Sequence, residues 1–285
     1  MEDGSSSVVC VQKKDFLSSS AQMKGGQYKI MLCLVLAATM VVAARSWTPL
    51  SGQLVVGVTG GIACGKSTLC SALVGHFNGQ GVQGADAPWS SSPLQANLHR
   101  AHHVDLDTLA GYEELGAEDA VIESMLRLGA DVRREGGGVD RAKLGRAVFQ
   151  TGAEAEERMS ALEGILWPRL EPLVEKTLSD ASERAAIDGA GSLVLLEGVK
   201  LQNAGWGDKF CDAVWEVSAP FEVAVARVQG RDGVDEGVAE DRVRRAKGSG
   251  TPDFVINSGT GMQDMIHQGV KEIEKLLEAA KETTR

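Results

Sequence analysis

Two apolar rhythms alternate along this chain. Short unbroken runs, Leu54-Val55-Val56 with Val58, Leu193-Val194-Leu195-Leu196 and Phe254-Val255-Ile256, together with AVWEVS from Ala213 to Ser218, have the length and β-branched content of strands covered on both faces. Elsewhere apolar positions recur three and four residues apart, the spacing of one helix face. Such segments are EDAVIESMLRL (118–128), VDRAKLGRAVF (139–149) with Asp140 as a cap, EAEERMSALEGIL (154–166), and WPRLEPLVEKTLSDASERAAI (167–187) with Pro168 near a helix start. A last stripe runs through Met262, Met265, Ile266, Val270, Ile273 and Leu277. Strands alternating with helices predict a parallel sheet, and the uninterrupted helices from 118 to 187 predict a helical subdomain inserted into it.

The first strand ends at Thr59 and runs into Gly60-Gly61-Ile62-Ala63-Cys64-Gly65-Lys66-Ser67, which fits G-x-x-x-x-G-K-[ST] and opens a helix from about Ser67 to Phe77. Glycines let main-chain N–H groups turn inward toward the α/β-phosphates of a nucleotide, and the helix points its positive end at them. In that pattern Lys66 reaches the β/γ-phosphates and the Ser67 hydroxyl ligates Mg²⁺. The strand before it and the helix after it separate this segment from a glycine-rich turn with a chance lysine.

From Asn78 to His103 the chain is rich in Gly, Ser, Ala and Pro without periodicity, which predicts a long surface loop or insertion. His102 and His103 are adjacent, so on a strand they face opposite sides and do not share one metal; surface or packing roles suit them better. Val104-Asp105-Leu106-Asp107 then sets two carboxylates on one face, if a strand continues that far. Beside a phosphate loop such a pair orients the waters of Mg²⁺ or accepts a proton from an attacking hydroxyl. The spacing fits equally well a helix cap followed by a solvated aspartate.

Composition narrows the picture. The 285 residues are 43% hydrophobic and 24% charged, which suits one α/β domain with an appendage. The net charge is −10, and residues 1–53 hold five Lys/Arg against three Asp/Glu, which leaves −12 on the remainder. An acidic body argues against a general nucleic-acid binder while leaving room for a local basic pocket that holds phosphates. The five cysteines (Cys10, Cys33, Cys64, Cys70, Cys211) show no C-x-x-C spacing, so neither a disulfide framework nor a zinc site is implied. Cys64 lies inside the phosphate loop, where a small inert residue suits the backbone better than a reactive thiol.

Residues 30–44, IMLCLVLAATMVVAA, form an uncharged run preceded by Lys24 and Lys29 and closed by Arg45. As a helix it spans about 22 Å, short of the ~30 Å hydrocarbon core of a bilayer. Its small residues at Val42-Ala43-Ala44 suit a signal cleavage region, so residues 1–53 are expected to be a targeting or membrane-anchor segment ahead of a domain over 54–285.

At this point the chain resembles the dephospho-CoA kinase family. VGVTGGIACGKST is similar to that family's opening strand and phosphate loop, VDLDTLA to its D-A-D segment, and VDRAKLGRAVF to its I-D-R-x-x-L-G-x-x-V-F block. LEGILWPRL, VSAPFEVAVARVQGRDG and PDFVINSGT resemble three further blocks in the same order, so the likeness runs from about Leu54 to Leu277. It departs at Trp167, where the family usually has His before the proline, at LEGVKLQNAG after the third apolar run, and in a shorter lid.

The resemblance implies a P-loop kinase: a five-stranded parallel sheet flanked by helices, a helical substrate-binding region over about 108–188, and an arginine-bearing lid over about 231–250. It implies transfer of the γ-phosphoryl of ATP to the ribose 3′-hydroxyl of dephospho-CoA with Mg²⁺. In that scheme Gly61 and the main-chain amides of Ala63, Cys64, Gly65, Lys66 and Ser67 hold phosphates, with Thr68 on a neighbouring phosphate and Ser67 on the metal. Asp107 orients or deprotonates the ribose hydroxyl with Asp105 as its partner, and Arg231 closes over ATP. Small molecules are then the partners, with no nucleic acid, and a membrane only through residues 30–44. Two alternatives stand beside it: a nucleoside or uridine-type kinase, suggested by Leu196-Glu197-Gly198, and a membrane-tethered nucleotide-binding protein without transfer activity.

Overall fold

The computed structural model describes residues 52–79, 98–150, 152–189, 191–246 and 250–283. The apolar run 30–44 and most of the proposed targeting segment lie outside the described residues. Among the described residues no helix is long and apolar enough to cross a membrane.

Five strands, β1 (Gln53–Thr59), β2 (Leu98–Asp105), β3 (Gly191–Glu197), β4 (Ala213–Ser218) and β5 (Phe254–Asn257), form one sheet in the order β2-β3-β1-β4-β5. Every pairing is parallel. The expected five-stranded parallel sheet is therefore present. Eight helices are described: α1 (Lys66–Phe77), α2 (Glu118–Arg127), α3 (Arg141–Val148), α4 (Ala153–Ile187), α5 (Trp206–Phe210), α6 (Phe221–Asp232), α7 (Glu236–Arg245) and α8 (Met262–Thr283).

Alternation along the strands divides the core between two faces. Val56, Val58, Leu193, Leu195, Trp215 and Val217 meet Leu69 and Leu73 of α1 and Met265, Ile266, Val270 and Ile273 of α8. Val55, Val104, Val194, Leu196 and Val214 meet Leu170, Val174 and Leu178 of α4 and Trp206 of α5. The last stripe is thus core packing, except that its first member, Met262, is exposed. Gly57 admits this closeness, because a Cβ there would lie 2.4 Å from Leu201 Cδ2 and 2.9 Å from Cys211 Sγ. The helical insertion has its own core of Val121, Met125, Leu144, Val148 and Leu162.

Three sequence expectations are corrected. The two helices proposed over 154–187 are one helix of 35 residues that carries Pro168 and Pro172 inside it. Proline removes a main-chain donor, yet buried Leu162, Leu170, Val174 and Leu178 continue across both prolines, so tertiary burial outweighs the local penalty. The aperiodic segment yields to β2 at Leu98, five residues before His103, where the histidines and Arg100 disguise the strand. β2 stops at Asp105, so Asp107 sits in the following turn rather than on the same strand face.

Register is what positions the site. Asp105 of β2 and Val58 of β1 both pair with Glu197 of β3, so the carboxyl ends of the three strands are level. Main-chain bonds from Leu106 N to Glu197 O (3.0 Å) and from Gly198 N to Val58 O (3.1 Å) tie the ends together. The loop after β1, the turn after β2 and the last residue of β3 therefore share one crevice, the usual place for ligands in an open parallel sheet.

Candidate active site

The loop after β1 has the backbone its glycines promise. Gly60 and Gly65 have φ of 139° and 103°, and a Cβ at Gly60 would meet Val217 O at 2.3 Å. Ala63, at φ 56°, is the one non-glycine with positive φ among the described residues. A residue held there costs of order 1 kcal/mol, so the surroundings must hold it. Arg227 of α6 does so: Nη1 donates to Ala63 O (3.2 Å), Cys64 O (3.3 Å) and Ser258 Oγ (3.1 Å), and Nη2 to Ser258 O (3.1 Å).

Lys66 folds back over the loop and is 8% exposed. Its Nζ donates to Gly60 O at 3.2 Å and Gly61 O at 2.9 Å, which holds the ammonium inside the loop. Ser67 and Thr68 are exposed at the start of α1. Ser67 Oγ donates to Glu197 Oε1 at 2.8 Å. The other carboxylate oxygen of Glu197 lies 2.8 Å from His103 Nε2. Burial alone works against a charge on Glu197, but the bonds from His103 and Ser67 and the nearby Lys66 ammonium outweigh it and hold its pKa below the ordinary value.

Asp105 and Asp107 are brought together across the turn, where Asp105 Oδ1 accepts the Asp107 N–H at 2.9 Å. Asp107 opens onto the crevice. Desolvation by the crevice walls, then the negative charge of Asp105, raises the Asp107 pKa; Lys66 opposes this and Glu197 adds to it. Burial likewise raises the Cys64 thiol above its ordinary value, which fits an inert filler in the loop.

Beyond Asp107 lies a cavity of about 260 Å³ whose wall includes Asp107, Tyr112, Arg141, Trp167, Lys200 and Trp206. The Arg141 guanidinium sits 5.5 Å from the Tyr112 ring centroid, and the Trp167 and Trp206 rings lie 6.4 Å apart, tilted by 56°. Glu163 of α4 pairs with Lys200. Two cations among aromatic rings, with a carboxylate at the mouth, suit a ligand that carries a flat ring and phosphates.

On the far side α6 and α7 pack together where the lid was expected. The carbonyl of Ala246, just past α7, stands 3.1 Å from where a Gly61 Cβ would be, so this end of the helix pair covers the phosphate loop. Arg231 is elsewhere: its Nε and Nη2 donate to Asp232 at 2.6 and 3.1 Å, and Arg242 joins the same carboxylate at 2.6 Å.

Arg227 is a site residue that the sequence alone does not single out, and the sequence suggests only a surface or packing role for His103. His103 was findable, since residues 103 and 105 share a strand face. The Arg227 contact with the loop spans 163 or 164 residues and left no local signal.

The sequence model of the family described as dephospho-CoA kinase matches residues 90–251. The dephospho-CoA kinase of Moorella thermoacetica is 32% identical over 192 residues, 67% of this chain and 76% of that protein. The chain belongs to the dephospho-CoA kinase family. Another relative, the dephospho-CoA kinase of Geobacter metallireducens, is 30% identical over 193 residues, 67% of this chain and 79% of its own length. Among solved structures, TT1252 from Thermus thermophilus shares the fold, with a TM-score of 0.55 at 24% identity over 79% of this chain and 98% of that one.

As a member of the dephospho-CoA kinase family the chain is a kinase, and ATP is its phosphate donor. The span matched to the family contains Asp107, Arg141, Trp167 and Arg227 together with the DRAKLGRAVF helix, which a uridine-type kinase leaves unexplained. The phosphate loop precedes that span and stands on its own geometry.

Proposed function

We propose that this protein transfers the γ-phosphoryl group of ATP to the ribose 3′-hydroxyl of dephospho-CoA in the crevice between the phosphate loop and the helical insertion. The supporting observation is that Asp107 lines the aromatic and cationic cavity and also lies close enough to Lys66 for its charge to act on the carboxylate.

The reaction needs positioning and charge neutralisation more than covalent chemistry. Main-chain amides of the loop from Gly61 through Ser67 cradle the phosphates, with Thr68 beside them. Lys66 exchanges its bonds to Gly60 O and Gly61 O for the β/γ-oxygens. Asp107 receives the ribose hydroxyl from the cavity side, aims it, and takes its proton as the new O–P bond forms. A raised pKa strengthens Asp107 as a base. Asp105 holds the turn that presents it. Arg141 and Lys200 neutralise the phosphates of dephospho-CoA, and Trp167 and Trp206 offer apolar surface to its organic portion.

The oxygen donors gathered here, Ser67 Oγ and the Glu197 carboxylate, are of the hard kind that Mg²⁺ prefers, so these residues fit that ion. Ser67 would hold it with Glu197 alongside, and it would supply charge neutralisation to the nucleotide phosphates. Arg231 reaches the nucleotide only after leaving Asp232, so its part is assigned to lid closure.

The test is direct. Full-length protein with ATP and dephospho-CoA should release ADP and form coenzyme A, with the phosphate identified at the 3′ position by mass spectrometry and phosphorus NMR. Phosphorylation of uridine or another nucleoside without turnover of dephospho-CoA overturns the proposal.

A further inference from the structure

One set of groups beside the phosphate loop goes beyond what the kinase reaction needs. Cys70 lies one helical turn after Lys66 on α1 and is fully buried; His103 comes from β2 and Glu197 from the end of β3. One ligand atom from each, the thiol sulfur, an imidazole nitrogen and a carboxylate oxygen, all lie within 4.8 Å of one another. We propose that Cys70, His103 and Glu197 form a binding site for a borderline or soft divalent cation such as Zn²⁺, whose occupation neutralises the carboxylate that faces Ser67 of the phosphate loop and inhibits the kinase.

Zinc bond lengths of about 2.0 Å to nitrogen and oxygen and about 2.3 Å to sulfur put tetrahedral ligand atoms about 3.3–3.6 Å apart. His103 and Glu197, now 2.8 Å apart, open to reach that spacing, and the thiol sulfur starts within 4.8 Å of both. Three protein ligands leave a fourth position for water from the crevice, as in open zinc sites. A sulfur and an imidazole donor are wrong for Mg²⁺ and right for zinc, so the site discriminates against the ion of the kinase reaction. The His103 side chain is 20% exposed and Ser67 is exposed beside Glu197, which opens a path from the crevice.

The exchange balances. The Cys70 thiol loses its proton to solvent as the S–Zn bond forms, the Glu197 carboxylate is ionised, and the His103 Nε2 that bonds zinc does so with the ring proton on Nδ1, so the thiol accounts for one proton per zinc bound. Burial, then Glu197, pushes the Cys70 thiol well above its ordinary value in the metal-free protein, with Asp105 adding to this and the Lys66 ammonium opposing it, so the S–Zn bond itself must draw off the proton.

Inhibition rests on the proposed kinase reading; binding does not. A divalent ion on Glu197 takes His103 from the same carboxylate and places positive charge next to Ser67.

The test titrates metal-free full-length protein with Zn²⁺ by calorimetry, and with Co²⁺ as a coloured substitute. One zinc per chain with about one proton released is expected, and a thiolate-to-cobalt charge-transfer band. Cys70→Ala should remove the band and weaken zinc binding about 100-fold or more. It should retain turnover in Mg²⁺ without zinc and resist inhibition by zinc. Cys70→Ser, which keeps the volume, is the second variant, and the wild-type cobalt spectrum decides should both fail to fold. Absence of the band, or unchanged zinc affinity in folded Cys70→Ala, overturns the site. Binding with undiminished kinase turnover overturns the link to the phosphate loop. Zinc binding by a protein that does not turn over dephospho-CoA leaves the site standing and refutes the substrate reading instead.

Discussion

Arg227 offers the clearest way to ask whether the phosphate loop is held in shape from behind. Replacing it by Met keeps most of the apolar stem and removes a guanidinium that bonds Ala63 O and Cys64 O at 3.2 and 3.3 Å and Ser258 at 3.1 Å. A hydrogen bond from a charged donor contributes about 1.5–3 kcal/mol net. The two loop bonds are long and Arg227 is exposed on its outer side, so solvent screening lowers their joint worth to about 1–2 kcal/mol. That energy opposes the strain of Ala63 at φ 56°. Without it the loop spends time outside its phosphate-binding shape, and apparent ATP affinity falls about 5- to 30-fold. Steady-state kinetics with each substrate varied separately reads the effect. KM for ATP should rise by that factor, with KM for dephospho-CoA within about twofold of wild type. An unchanged KM for ATP in a variant that melts normally would show that the loop keeps its shape alone.

Four further outcomes are expected. Asp107→Asn should lower kcat by about 10²- to 10⁴-fold while leaving ATP binding, read by calorimetry, nearly intact; equal loss of both would make Asp107 a binding group instead. Because Asp107 must be ionised to take the proton and its pKa is raised, kcat/KM should fall, as pH is lowered, at a higher pH than an ordinary aspartate gives. Asp105→Asn should move that acid limb to lower pH, since it removes the nearest charge that raises the Asp107 pKa while desolvation by the walls stays; a limb that stays in place refutes the coupling. Gly57→Ala should destabilise the protein by about 1–3 kcal/mol in chemical denaturation, because the added methyl meets Leu201 at 2.4 Å and Cys211 at 2.9 Å.

The central strands and the helices around them were legible because apolar period follows directly from which faces are covered. Boundaries failed where local chemistry and tertiary burial disagree. Pro168 marks a helix start by its missing N–H, yet in α4 the apolar face runs on through Leu170, Val174 and Leu178 against the sheet, and that burial keeps one continuous helix. β2 escaped because Arg100, His102 and His103 break the apolar run that a buried strand shows. Arg100 pairs with Asp188 and His103 bonds Glu197, so these two polar side chains have partners that the sequence does not display.

The candidate site divides along a similar line. Lys66 and Ser67 were readable because a phosphate loop is contiguous in sequence and its spacing states its chemistry. The surroundings of Glu197 were not, since a strand end announces nothing about what stands level with it. Glu197 takes its place from the pairing of three strands: Asp105 and Val58 stand opposite it, Ser67 comes from the helix after β1, and His103 comes from two residues before Asp105. A shift of one residue in the pairing of β2 with β3 would turn His103 and Asp105 to the opposite face and leave Glu197 with Ser67 and the Lys66 charge but without its His103 bond. The charge of Glu197 is therefore stabilised by sheet register as much as by any one neighbour. Substitutions that loosen the β2–β3 pairing should impair phosphoryl transfer without touching the nucleotide.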